Sequence, residues 1–526
     1  MATIDRLGLN FRFDKATIVD KAIAFARAST ATRINPTTGL VETVAANVPR
    51  LCGKQELSNA FSKNLISDSN NFIANRWGCW VNWPNNFAQN VTGPNGGTGW
   101  SGTVVVNSGL IYYKKLTAGI TYTVSCWVKA SAVANITFGF SDDQTTSLGV
   151  DTNWTRLVFT AVCSAGTAAM SRAFEIIITN IGVGGTFCIA DAQVEQAGAV
   201  SAYEANPVII QRGLLIEGQA TNLLERLSVV PWYSSFAVDN NAIAPNGNAE
   251  AWQGQLVDGS NRGLCWNTTS AVPANGTNVV FSIWLKASTF GKVKIGPNDN
   301  WNEFVDVTTS WRRYFIQGGF LSEATRVGQL MWNSGWAPDM LPAGSTLYCA
   351  MPQIEVGTSI PSSNILTTNA AVTREADIST VDVSKLWNPK ESTLICEADF
   401  GPVNGGWRIA VDGADADNLL RITQTNPIGN AVAAVGPGSG PLSLTLLSSA
   451  VVSRLKVACA LAKGALSLSA NGSAVEKGNV ASPSPTALRI GAMWNGAIPI
   501  NGTIQSIQYV PYAMDDLTLR AVSELK

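Results

Sequence analysis

Phe281-Ser-Ile-Trp-Leu-Lys-Ala-Ser288 is preceded in the same chain by a nearly identical octet, Val124-Ser-Cys-Trp-Val-Lys-Ala-Ser131. Trp127 and Trp284 lie 157 residues apart (284 − 127), and a second pair, Trp154 in Asp-Thr-Asn-Trp-Thr-Arg and Trp311 in Thr-Thr-Ser-Trp-Arg-Arg, keeps the same offset (311 − 154). Two markers in one register identify a duplication. Farther out the register drifts: Asn64-Leu65 answers Asn222-Leu223 at 158, and Gln193-Val-Glu195 answers Gln353-Ile-Glu355 at 160, as small loop insertions would produce. Each octet alternates apolar with small or polar residues, the period-two signature of a half-buried strand. A period near 157 is too long for a solenoid turn and long enough for each copy to bury its own core. The chain therefore reads as tandem β domains.

Composition narrows the function classes. The 36 basic and 37 acidic residues nearly cancel and charged residues are only 14% of the chain, so the basic excess that phosphate binding requires is missing. Nucleic acid is set aside. No charged-then-apolar leader and no apolar run long enough to span a bilayer is present, which predicts a chain without a secretion address or membrane insertion of its own. The nine cysteines are odd in number and form no Cys-x-x-Cys pair, so they read as reduced core residues rather than zinc ligands or a disulfide framework. Histidine is absent, which removes His-based triads, zinc sites and imidazole bases.

In chain order, residues 1–63 predict an attachment or β-hairpin segment, with Asn35-Pro-Thr-Thr-Gly39 as its turn. Residues 64–206 form the first β domain, 207–377 a linker and its duplicate, and 378–526 a last β domain. In that last domain Asn471-Gly472 and Asn501-Gly502 carry hairpin-turn chemistry.

Several segments resemble bacteriophage virion proteins of the tail-fibre or head-appendage type. They are Phe25-Ala-Arg-Ala-Ser-Thr-Ala-Thr32, Asn47-Val-Pro-Arg50, Gly213-Leu-Leu-Ile-Glu217 running to Thr221-Asn-Leu-Leu224, and Gln353-Ile-Glu-Val-Gly357 leading to Thr373-Arg-Glu-Ala-Asp377. In that family the first two segments usually stand close together. Here a whole module separates Arg50 from Gly213, so the first module looks like an insertion or duplication in an N-terminal framework. The resemblance implies jelly-roll modules similar to carbohydrate-binding modules. The order of strands after residue 390 is similar to a concanavalin A-like or laminin-G sandwich.

The expected fold class is all-β, with tandem jelly-roll β-sandwiches and a C-terminal concanavalin A-like sandwich. The expected function is that of a virion structural protein, assembled in the host cytoplasm, that binds host-surface glycans during adsorption. Partners implied by the resemblance are other virion proteins, held through the N-terminal segment, and further copies of the chain in a homo-oligomer, closed symmetry favouring a trimer or ring. Two alternatives stay open: a purely structural capsid or tail decoration or connector, and a carboxylate-based polysaccharide depolymerase. The chain is read as not an enzyme, because Glu195 and Glu355 occupy equivalent repeat positions and neither has an identifiable partner carboxylate.

For a glycan site the chemistry needs flat aromatic faces beside amides and hydroxyls. The repeated Trp127, Trp154, Trp284 and Trp311 sit in regular strands and are assigned to the core. The aromatics of irregular segments are the binding candidates: Trp77, Trp80, Trp83 and Trp100 in the first module, and Trp232, Tyr233, Trp252, Trp301, Trp332 and Trp336 in the second. No cofactor is expected. Asp142 and Asp143 are candidate calcium ligands, with Asp412, Asp415 and Asp417 a weaker set.

Overall fold

The structure is a computed structural model. It describes residues 9–525 apart from 16–19, 60–63, 67–68, 70, 74–76, 95–97, 115, 142–143, 171, 202, 204–207, 211, 226–228, 234–238, 258–260, 267–272, 299–301, 321–326, 334–339, 359, 400–407, 414–418, 426–429, 437–441, 448–453, 480–483 and 494–498. The fold is all-β, built from sandwiches. The chain divides into two compact units: 1–57 with 209–333 and 342–526, and 58–208 with 334–341.

The unit centred on 58–208 is a jelly-roll sandwich of two five-stranded sheets. One sheet runs in the order Thr155–Val162, Thr121–Ala130, Thr186–Glu195, Thr98–Thr103, Asn85–Thr92. The other runs Thr145–Val150, Ala134–Gly139, Arg172–Ile177, Gly109–Tyr113, Trp77–Cys79. Between them lies an apolar core that includes Val124, Cys126, Val128, Ile136, Phe138, Phe174 and Ile189.

In the duplicate the same order of ten strands recurs, within one seven-stranded and one five-stranded sheet. Arg312–Gly319, Asn278–Ala287, Thr346–Val356, Ala249–Gln255 and Asp239–Ile243 follow one another in one sheet. Glu303–Val307, Gly291–Gly296, Val327–Trp332, Arg262–Trp266 and Val229–Tyr233 make the other. Even the irregularities recur. The pairing register shifts between Ser125 and Trp127 in the first copy and between Ser282 and Trp284 in the second, opposite Asp191 and Met351, both of which have positive φ (54° and 49°). A β-bulge kept at one place in both copies is a built feature of the module.

Within the octets, Val124, Cys126 and Val128, like Phe281, Ile283 and Leu285, are fully buried. Ser125, Trp127 and Lys129, like Ser282, Trp284 and Lys286, occupy the opposite parity and so the outer face of the sheet. This corrects the assignment of all four repeated tryptophans to the core. Trp284 is buried, but Trp127, Trp154 and Trp311 are half-buried. Lys129 Nζ lies 5.1 Å from the Trp154 ring centre and Lys286 Nζ 5.1 Å from that of Trp311.

The third sandwich is assembled from distant parts of the chain. One sheet orders Glu476–Asn479, Ala465–Ala470, Arg454–Ala462, Glu391–Asp399, Gly502–Val510, Gly213–Ile216 and Arg50–Cys52, with Leu9–Arg12 also on Gly502–Val510. The facing sheet begins with Ile23–Ala26 on Ile378–Asp382 and continues through Ala487–Ile490, Arg408–Gly413, Leu419–Thr425, Asn430–Gly436 and Leu442–Leu447. Phe11, Phe13, Ile23, Leu51, Leu214 and Ile216 share its core with Leu394, Leu466 and Ile507. The N-terminal segment, expected as an attachment hairpin, is thus woven into the C-terminal sandwich. Apolar alternation in short strands shows that they need a sheet but not which sheet. The chain leaves this framework at Cys52 and returns at Gly213 to the neighbouring strand, where Gly213 pairs with Cys52.

The segments that carry the family resemblance meet in one buried charge cluster. Arg27 Nη1 donates to Asp377 Oδ1 at 3.0 Å, Arg50 bridges Asp377 and Glu217 (2.8 Å to Glu217 Oε2), and Arg374 Nη2 lies 3.7 Å from Glu217 Oε2. Ser363 gives Glu217 both its backbone N–H and its hydroxyl, each at 2.6 Å. Burial by itself would push the Glu217 carboxyl up, but Arg374, Arg50 and Ser363 outweigh it and hold it at about 2.

Candidate functional site

Of the ten aromatic candidates, four are core residues. Trp77 packs against Phe72, Tyr112 and Phe174; Trp100 packs against Phe72 and Phe87; Trp252 meets Trp266; and Trp332 is fully buried. Their neighbours in sequence are turn-rich, but each falls on the inward parity of a short strand: Trp77–Cys79, Thr98–Thr103, Ala249–Gln255 and Val327–Trp332. Trp232 and Tyr233 lie in the strand Val229–Tyr233, paired with Arg262–Trp266, and their side chains are outside the described residues. Trp301, Trp336, Asp142 and Asp143 are also outside them, as are Asp415 and Asp417. Asp412 is fully buried and paired with Arg421 at 2.9 Å. Among the described residues no group of three or more carboxylates and cysteines is placed to hold a metal ion.

Trp80 and Trp83 remain, both half-buried. They lie on the connection that carries the chain from the edge strand Trp77–Cys79 of one sheet to the edge strand Asn85–Thr92 of the other. This corner is tied to the turn before Gly109. Trp80 N–H donates to Gly109 O (3.1 Å), Asn82 N–H to Asn107 O (3.1 Å), Gly109 N–H to Asn82 O (3.3 Å) and Asn82 Nδ2 to Val106 O (2.9 Å). Gly109 is required here, since a Cβ at that position would stand 2.9 Å from the Trp80 Cβ and 2.7 Å from Ile176 O.

Trp83 packs on Phe87 with ring centres 6.0 Å apart and planes inclined by 30°, and Phe87 packs in turn on Trp100. Asn82, Asn85 and Asn86 on the same stretch are exposed, and Val81 (53% exposed) and Val106 (59%) add apolar surface. The connection thus carries two half-buried indoles and three exposed asparagines, of which Asn82 already commits its Nδ2 to Val106 O. Such a connection can stack on a flat C–H face while its amides both donate to and accept from hydroxyl groups.

The duplicated carboxylates are structural. Glu355 accepts from the backbone and hydroxyl of Ser362 (2.9 and 2.6 Å) and from Gln353 Nε2 (2.7 Å), while Arg313 bonds Ser282 Oγ and Ser362 O. Glu195 accepts from the Ser201 N–H (3.1 Å) and hydroxyl, and Arg156 bonds Ser125 Oγ and Ser201 O. Each copy thus sets an Arg-Glu-Gln-Ser network on the outer face of its sheet, with Arg313 buried, Arg156 half-buried and Gln193 donating to Ser201 Oγ. Sequence reading found the glutamates but not the arginines, although Arg156 and Arg313 share the offset of 157 (313 − 156).

No known family profile matches the sequence, and no curated protein matches it. Among solved structures, the N-terminal CBM22 tandem domain from Paenibacillus barcinonensis is similar over 58% of this chain and 98% of its own, at 11% identity and a TM-score of 0.20. Domains LG4-5 of the mouse laminin alpha1 chain match over 54% of this chain and 95% of their own, at 9% identity and 0.20. Trypanosoma rangeli sialidase matches over 95% of this chain and 91% of its own, at 10% identity and 0.23. Carbohydrate-binding modules and laminin G domains thus stand among the structural neighbours. A sialidase stands there too, and on that finding the expectation that the chain is not an enzyme is withdrawn. Likenesses at this level assign neither ligand nor reaction to this chain.

Proposed function

We propose that this chain is a glycan-binding protein that contacts sugar through the corner of residues 80–86, and that it serves as an adhesive subunit of a virion appendage. The observation that carries the binding reading is the pairing of half-exposed Trp80 and Trp83 with exposed Asn82, Asn85 and Asn86 on one hydrogen-bonded connection. A connection already hydrogen-bonded in the free protein loses less ordering entropy on binding. The appendage reading is supported by the sequence segments that resemble such proteins, and the homo-oligomer belongs to the same reading.

The test is a glycan array and adsorption to host cells with the intact chain and with Trp80→Ala and Trp83→Ala. Each variant should lose roughly 5- to 30-fold in affinity, the effect of about 1 to 2 kcal/mol at a hot spot. Melting temperatures should stay close to that of the parent. Unchanged glycan binding by two folded variants would leave the corner without this role. Absence of binding by the parent would favour the decoration or connector reading.

A further inference from the structure

The 58–208 sandwich ends, beyond Thr103, Ala130 and Thr186, in five loops: 80–84, 104–108, 131–133, 151–154 and 178–185. Hydrogen bonds join neighbouring loops. Asn82 Nδ2 donates to Val106 O (2.9 Å), Gly184 N–H to Val104 O (2.9 Å), Ser131 N–H to Thr186 O (2.9 Å) and Ala130 N–H to Asp151 O (2.7 Å). Four of the loops each expose one valine: Val81, Val106, Val133 (85% exposed) and Val183 (67%). Those four contain no charged residue. The fifth has Asp151, whose Oδ1 accepts from the Asn153 N–H (2.7 Å), and nearby Lys129 is laid on the Trp154 ring. The opposite end of the sandwich differs, since its exposed Tyr113 pairs with Arg172 and precedes Lys114.

An exposed apolar patch calls for an occupant. Valine offers no hydrogen bond to a sugar hydroxyl, so the tips do not extend the tryptophan corner. Four valine side chains make a patch on the order of a few hundred Å², below the roughly 800 Å² per partner of a stable protein interface. A bilayer interface needs neither a matching groove nor a large area, because a few apolar side chains enter the boundary between headgroups and acyl chains while the domain stays outside. Backbone groups brought to that boundary must be satisfied. Here the N–H groups of Gly182, Gly184 and Gly185 bond Thr179 O, Val104 O and Gly182 O, and that of Val105 bonds the Ser108 hydroxyl. Without a basic residue on the four loops, attraction to anionic headgroups is not the source of binding. We propose that this end of the first module is a membrane-contact surface, with Val106, Val133 and Val183 entering the apolar boundary of a zwitterionic bilayer. The proposal goes beyond the sugar-binding reading and does not depend on it.

Flotation of the intact chain with phosphatidylcholine vesicles tests it. The parent should float with the vesicles, and added salt or phosphatidylglycerol should change the bound fraction less than about twofold. Val133→Asp and Val183→Asp should each lower vesicle affinity about 10-fold, with melting temperatures unmoved because both side chains are exposed. Val162→Asp, at the opposite end of the sandwich, should float like the parent. Both loop variants should keep the parent's glycan-array binding, so that failure here is distinguishable from failure of the tryptophan corner. A parent that does not float, folded Val133→Asp and Val183→Asp that float like it, or flotation that requires anionic lipid and low salt would each overturn the assignment. So would a dimer in sedimentation that Val133→Asp abolishes, which would give this end to a second copy of the chain.

Discussion

Trp127 and Trp284 occupy the same position in two copies of one module, yet only Trp284 is buried. Its indole N–H donates to Asn364 Oδ1 at 2.9 Å, and Ile34, Val41, Leu215 and Met351 close over it. Trp284→Ala should therefore cost about 3 to 5 kcal/mol as a core cavity. Trp127→Ala, on a half-exposed face, should cost less than about 1.5 kcal/mol. Chemical denaturation of both variants checks the contrast, and equal losses would contradict it. Glu217 carries the pH dependence of the same region. Its folded value of about 2 lies below the ordinary 4.5, so its contribution is complete above pH 4.5 and is lost as pH falls toward 2. The displacement is worth on the order of 3 kcal/mol. Glu355 works in the opposite sense: burial raises it against the pull of Ser362 and Arg313, so its folded form holds a proton more tightly and its contribution declines as pH climbs past 4.5. Stability curves of Glu217→Gln should be flatter than the parent's between about pH 2 and 4.5, from a lower plateau, because the substitution leaves buried arginine uncompensated.

At the scale of elements, the turn chemistry was partly visible. Asn471 and Gly472 both have positive φ (49° and 77°) and turn the chain from Ala465–Ala470 toward Glu476–Asn479, as their composition predicts. Asn501 also has positive φ, but Gly502 only begins a strand, and Asn501 Oδ1 instead accepts from the Gly218 N–H (2.8 Å). The tight hairpin of this sheet is Lys463-Gly464, with φ of 48° and 78° between the paired residues Ala462 and Ala465. Lysine is an unusual first residue for such a turn, which hides it from a search for Asn-Gly. Gly464→Ala should destabilise by about 1 kcal/mol, since the left-handed conformation is strained for any residue with a Cβ. Lys463→Asn should be neutral or slightly stabilising. Thermal melts of the two variants should move in these directions.

For the whole molecule, the strand order separates what can fold alone from what cannot. The 58–208 sandwich closes its own core from both five-stranded sheets, so a fragment of those residues should melt cooperatively by itself. A fragment of 378–526 matches the last domain drawn on sequence, but it lacks Leu9–Arg12, Ile23–Ala26, Arg50–Cys52 and Gly213–Ile216. It should be aggregated or loosely folded, because the missing strands leave Gly502–Val510 and Ile378–Asp382 as open edges and uncover apolar core. Sharp, reversible melting of that fragment would contradict the assembly described above. The third sandwich draws its strands from residues 9–52, 213–216 and 378–510.

The sequence by itself determined the β class, the duplication and its register, because alternation and a fixed offset are properties of neighbouring residues and of spacing. The sequence also read the cysteines as core residues, and eight of the nine are buried. It could not place the tryptophans, since an aromatic in a strand belongs to whichever face its parity selects, and parity is fixed only when the facing sheet is known. Nor could it show that Arg27, Arg50, Glu217, Arg374 and Asp377 form one cluster. Those residues are up to 350 positions apart, and pairing between an N-terminal guanidinium and a C-terminal carboxylate exists only once the strands that carry them share a sandwich.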